Sequence, residues 1–182
     1  MTTSLFAFAT IGLTLTAMVA LTGSKPSQAN EPPDDSDVGS LDGIITAVYE
    51  CICGPAGQAR DWERFRTLMH PEAARLMAVS QGKDGRELLK VLDVEEYIEL
   101  VDEQFVSRGF WERELHRDVE SFGHVTHAWS TYALRFTADG EDQVRGVNSF
   151  QLFFDDERWW VTSILWDTER PDQPIPARFL PH

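Results

Sequence analysis

Apolar residues recur at Leu41, Ile44, Ile45, Val48, Tyr49 and Ile52, the spacing of one face of a helix. Ser40 or Asp42 can cap its start, and Gly54-Pro55 ends it. Asp61 has the place of an N-cap for a second helix. Its apolar face holds Trp62, Phe65, Leu68 and Met69, and Pro71 stops it. Residues 74–82, "ARLMAVSQG", read as a short strand. "KDGRELLK" reads as a turn leading into an irregular or short helical piece. "DVEEYIELVDEQF" opens on Asp93 with Glu96 three residues on. This capping box starts a third helix, apolar at Val94, Tyr97, Ile98, Val101 and Phe105.

From Phe110 the period changes. Runs at 110–122, 124–137, 143–154 and 158–167 are rich in aromatic and β-branched residues. They are broken at Phe122-Gly123, Asp139-Gly140 and Asp155-Asp156-Glu157. Short breaks between such runs predict an antiparallel meander of four strands. Tight turns would set Leu115 opposite Tyr132, Tyr132 opposite Ser149, and Ser149 opposite Ile164. Period two then predicts an inner face with Trp111, Leu115, Val119, Ala128, Ser130, Tyr132, Leu134, Val147, Ser149, Gln151, Phe153, Trp160, Thr162, Ile164 and Trp166. The outer face takes Glu112, Glu114, His116, Asp118, Glu120, His127, Trp129, Asn148, Phe150, Leu152, Trp159, Val161 and Leu165. Both faces of the last two strands are apolar, which predicts a second copy packed through the sheet as a homodimer. Helices first and strands after give an α+β class: three N-terminal helices on a curved four-stranded antiparallel meander.

Composition adds one core and one charge. The chain has 182 residues, 42% of them hydrophobic, enough for a single sizeable core. Its formal net charge is −14, with no run of Lys or Arg, so nucleic acid and anionic lipid are excluded as partners. Residues 5–21 carry no charge, and Ser27-Gln28-Ala29 is a small-x-small cleavage site. This predicts a signal peptide over 1–29 and an exported mature chain, without a membrane segment. The leader lacks the usual N-terminal Lys or Arg. Cleavage after Ala29 removes Lys25 and takes the charge from −14 to −15. Residues 30–40, rich in Pro and Asp, read as a disordered linker.

Several strings carry a resemblance: "GPAGQARDWERFRTLMHPEAARL", "GFWERELHR", "FGHVTHAWSTY" and "RGVNSFQLFFDDERWWVTSILWD". With three helices before a long meander, the stretch 41–169 resembles an uncharacterised branch of the nuclear transport factor 2-like superfamily, also called SnoaL-like. Residues 170–182 follow as a tail. The resemblance implies a cystatin-like α+β cone with a pocket between helices and sheet. Relatives of that fold include ketosteroid isomerases and dehydratases as well as binding modules, so fold alone does not decide function. In the ketosteroid isomerases the base lies on the short strand after the second helix. Here that strand, "ARLMAVSQG", carries neither acid nor His.

Three residues are catalytic candidates: His70 beside Glu72, Tyr132, and His116 beside Glu114. A loop histidine and a solvated strand face explain His70 and His116 better than catalysis does, while a satisfied core hydroxyl explains Tyr132 equally well. Ser130, Tyr132, Ser149, Gln151 and Thr162 among Trp111, Trp160 and Trp166 have the composition of a ligand pocket, with Asn148 serving from the other face. Glu112, Glu114, His116, Asp118 and His127 are metal-ligand types, but alternating charge fits a solvated face, and no metal or other cofactor is expected. Arg60 and Arg64 suit pairing with nearby acids. Cys51 and Cys53 point to nearly opposite sides of a helix and are badly placed to bridge each other. An exported Cys53 thiol can instead pair between chains. These readings predict a protein that binds a small, largely apolar molecule in its cone. The alternatives are a cofactor-independent isomerase, dehydratase or hydrolase, and an interaction module whose cone is filled.

Overall fold

The computed structural model describes residues 34–181. The leader lies outside them. Four helices precede or interrupt six strands: α1 (Asp35–Val38), α2 (Leu41–Ile52), α3 (Trp62–Leu68), β1 (Arg75–Gln81), β2 (Glu87–Leu92), α4 (Val94–Arg108), β3 (Trp111–Phe122), β4 (Val125–Arg135), β5 (Val144–Phe154) and β6 (Trp159–Thr168), then a single 3-10 turn, Ala177–Phe179. The strands form one sheet in the order β2-β1-β6-β5-β4-β3. Among the described strands only the β1–β6 pair is parallel. The sequence predicts a sheet of four meander strands. The two additional ones are β1, read correctly as a strand, and β2, read as irregular or helical. "RELLKVL" lacks alternation, and its pairing with β1 decides its conformation instead.

The helix signals hold. Ser40 accepts from Gly43 N at α2, Asp61 from Arg64 N at α3, and the Asp93/Glu96 capping box opens α4. Within the segment read as a linker, residues 35–38 form α1, and buried Asp37 pairs with Arg64 at 2.7 Å. Arg60 takes another role than acid pairing. It is buried and donates to the carbonyls of Gly54, Gln58 and Phe105 at 2.6–2.7 Å, tying the α2–α3 loop to the end of α4.

Helices α2, α3 and α4 cover one face of the sheet. Their core centres on Ile44, Ile45, Phe65, Leu68, Leu76, Phe150, Leu152 and Val161, all essentially inaccessible. Each such side chain contributes roughly 1.5–3 kcal/mol by burial. The C-terminal segment crosses the opposite face. Thr131 Oγ1 donates to Phe179 O at 2.6 Å, and Ile175 and Phe179 are buried there.

Two irregularities set which side chains face the cone. Leu115 is an extra residue in β3, because Glu114 pairs with Tyr132 and His116 with Thr131. Thr162 is extra in β6, where Gln151 pairs with Ser163 and Leu152 with Val161. Tyr132 pairs with Gly146, not Ser149, and Ser149 with Leu165, not Ile164. Each departure from the expected register is odd in number, so each reverses a face. The observed inner face therefore carries Glu112, Glu114, Ala128, Ser130, Tyr132, Leu134, Asn148, Phe150, Ile164 and Trp166.

Candidate functional site

A carboxyl on the inner face of a sheet is costly unless it is bonded. This fold places two there, on β3, directly after the α4–β3 turn at Gly109, whose φ of 76° suits glycine. Glu114 is held by Arg117, which reaches both its oxygens at 2.8 and 2.6 Å and also bonds Asp42 at 2.6 Å. Glu112 faces Leu134 across the β3–β4 ladder, and among the described residues no cation is bonded to it. Its backbone is clamped at Cys53. The thiol donates to Glu112 O and accepts from Glu112 N, both at 3.2 Å.

Proton bookkeeping orders the groups around them. The Glu114 carboxylate can only accept, so Ser130 Oγ spends its proton on Glu114 Oε1 at 2.5 Å. Ser130 must then accept from Tyr49, 2.7 Å away. The Tyr49 oxygen in turn accepts from Asn148 Nδ2 at 3.0 Å, and the same amide nitrogen donates to Glu112 Oε1 at 3.2 Å. The chain runs Asn148 to Tyr49 to Ser130 to Glu114, anchored by Arg117. Every proton along it is committed. The proton left to exchange belongs to Glu112.

Burial pushes the Glu112 carboxyl up to about 7, and the bond from Asn148 opposes this only in part. Burial, and then the negative charge of Glu112, raise Tyr49, Tyr97 and Tyr132 above the ordinary phenol value. Glu112 is thus ringed by tyrosines that stay neutral. Glu112 is half-buried as a residue on the edge strand β3, and protein surrounds its carboxyl. Tyr97 and Trp166, edge to face at 6.1 Å, stand on the same side.

Of the residues proposed as pocket lining, Ser130, Tyr132, Asn148 and Trp166 face the cone. Asn148 was assigned to the other face and is corrected here. Trp111, Ser149, Gln151 and Trp160 pair with outer-face residues and are corrected the other way. Thr162 is the extra residue of its bulge and donates to Gln151 O at 3.0 Å. His70 sits outside the cone. Its Nδ1 accepts from Glu72 N and Ala73 N, and its ring packs edge-on against Phe153 and Trp160. His116 lies past the bulge on the outer face, 3.4 Å from Asp118. The bulge thereby divides the acids and histidines that sequence grouped, and no cluster of three metal-ligand types forms among the described residues. Glu112 itself was assigned to the outer face, because the extra residue Leu115 reverses the part of β3 before it. For Asn148 and the rest of β5, Gly146 was the available signal. A side chain there would collide with the ring and hydroxyl of Tyr132, so a glycine inside a strand marks Tyr132 as its partner.

A hollow of about 290 Å³ lies on the outer face beneath the C-terminal segment. A second of similar volume lies among acidic residues of α1 and α2.

No family model matches the chain, and no curated protein matches it. Solved structures do. A protein of unknown function with a cystatin-like fold from Nostoc punctiforme aligns at a TM-score of 0.53 and 11% identity, over 75% of this chain and 92% of that one. Nuclear transport factor 2-like proteins of unknown function from Methylobacillus flagellatus and Shewanella baltica align at 0.46 and 0.45, with 15% and 13% identity. They cover 72% and 70% of this chain, and 95% and 89% of theirs. The first of these alignments, with helices packed on one face of the sheet, shows the fold: the chain has a cystatin-like α+β fold.

Proposed function

We propose that the mature, exported chain admits one small, largely apolar molecule to its cone, and that Glu112 exchanges a proton with it. The reaction class is a cofactor-independent isomerisation or dehydration. The observation that carries this reading is a carboxyl on the inner face of the sheet, bonded by Asn148 at 3.2 Å, with no cation paired to it among the described residues, and pushed by burial up to about 7. A general acid or base works best when its pKa lies near the working pH. One such group suffices for an isomerisation, because it can take a proton from one carbon and return it to another. The surrounding tyrosines and Trp166 supply an apolar wall with few polar points. The test is to extract small molecules from purified protein, screen uncharged apolar carbonyl compounds by thermal shift, and follow deuterium uptake from D2O into those that bind. Uptake by the wild type and none by Glu112→Gln supports the reading. Equal uptake by both refutes it.

A second reading, a binding or interaction module without chemistry, is favoured by the packing. Trp62, Phe65, Tyr97, Phe105 and Phe110 pack edge-on or face to face beneath the helices, and the two hollows described above do not include Glu112. Pairing through the outer face belongs to either reading. Phe122, 91% exposed, and Val125 lie on that face, which supports a homodimer that native mass spectrometry tests.

A further inference from the structure

We propose that the hollow on the outer face is a second site, for a small, uncharged aromatic molecule held between the sheet and the C-terminal segment. The site is independent of the cone and of Glu112. Its floor is Val147, Ser149 and Leu165, its side wall is Trp129, and its roof is Ile175 and Phe179.

Three observations support it. The roof is fixed at both ends. Arg170 and Gln173 bond Asp167 at 2.7 and 2.8 Å, and Phe179 O accepts from Thr131 at 2.6 Å. Between these anchors runs Gln173-Pro174-Ile175-Pro176. Two prolines hold their own φ and keep the residues before them extended. The span is therefore stiff. It bridges the sheet instead of settling into it, and leaves about 290 Å³ beneath. Second, the floor is apolar on the face turned away from the core, and Trp129 remains 38% exposed at its edge. Third, the polar atoms are few and mostly committed. Asp167 is held by Arg170 and Gln173, and Glu169 by Arg145 at 2.8 Å. Ser149 Oγ bonds His127 Nε2 at 3.0 Å and keeps further hydrogen-bonding capacity toward the hollow.

These features select the ligand. An apolar cavity of about 150 Å³ takes a single benzene ring, so this hollow suits one or two fused rings. No cation lines it, and the chain is strongly acidic, which excludes anions. A lone hydroxyl or carbonyl on the ring would meet Ser149.

The test uses 2-naphthol, neutral at pH 7, titrated into 15N-labelled wild-type protein. Expected are saturable amide shifts at Val147, Ser149, Leu165 and Phe179, lost in Leu165→Trp, which fills the floor. Glu112→Gln should bind with unchanged affinity. Because the wild-type map stands alone, a misfolded Leu165→Trp does not remove the test. Shifts confined to Tyr97, Glu112 and Asn148, or no shifts up to the solubility limit, overturn the proposal. Either of those results leaves the reading of the cone intact.

Discussion

Asn148 stands between Glu112 and Tyr49. One amide nitrogen lies 3.2 Å from the Glu112 carboxyl and 3.0 Å from the Tyr49 oxygen. It joins the group that can exchange a proton to a chain in which every proton is already committed. The sheet, through β5, and the first long helix, α2, are tied together at this point.

The pH dependence of stability follows from Glu112. Its folded value, about 7, lies above its ordinary value of 4.5. Its contribution is therefore fully present below about 4.5 and lost as pH rises through 7. The loss is at most on the order of 3 kcal/mol, and water reaching the carboxyl reduces it. Glu112→Gln removes this term. Urea unfolding at pH 5 and pH 8.5 should show the variant gaining on the wild type at the higher pH. A constant difference across that range would contradict the assignment.

Tyr49→Phe keeps the ring but removes the hydroxyl between Asn148 and Ser130. Both partners lose a bond in a dry site, at a cost of about 1–3 kcal/mol. Ser130→Ala should cost a similar amount. The double variant should cost clearly less than the sum, because the two act in one chain. Additive losses in denaturant unfolding would show that the chain is not coupled.

Gly146→Ala puts a methyl group into the Tyr132 ring and hydroxyl and against the Asp167 carbonyl. Neither the sheet nor a buried tyrosine can give way cheaply, so a loss of more than about 2 kcal/mol is expected. A melting temperature within a degree of the wild type would mean that Tyr132 does not lie over Gly146.

Cys51 lies in the last turn of α2 and Cys53 at its C-cap. Burial raises Cys51 to about 12 and Cys53 to about 11, and Cys53 is also bonded to the Glu112 backbone. Both should react with Ellman's reagent at pH 8 at least about 100-fold more slowly than free cysteine, until guanidinium unfolds the chain. Fast reaction of one thiol in the folded protein would show that Cys53 is available for pairing between chains.

The helices were legible because their signals are local: Ser40, Asp61 and Asp93 cap where capping chemistry requires, and the 3.6 spacing names the buried face. β3 to β6 were legible as strands for the same reason. Their register was not. It depends on two single-residue insertions, Leu115 and Thr162, and on loop lengths that leave no mark in alternation. Ile164 and Trp166 were nevertheless placed correctly, because consecutive odd shifts cancel. Glu112 was misplaced because the extra residue Leu115 reverses the part of β3 that precedes it. β2 was missed because an exposed hairpin has no buried face to impose a pattern.

The central claim rests on one carboxyl, and the most direct measurement is a carbon-detected NMR titration of the Glu112 side chain, assigned by its absence in Glu112→Gln. A midpoint near 7 is the expected result. A midpoint below 5 would show an ordinary, solvated glutamate and would contradict the role assigned to the cone.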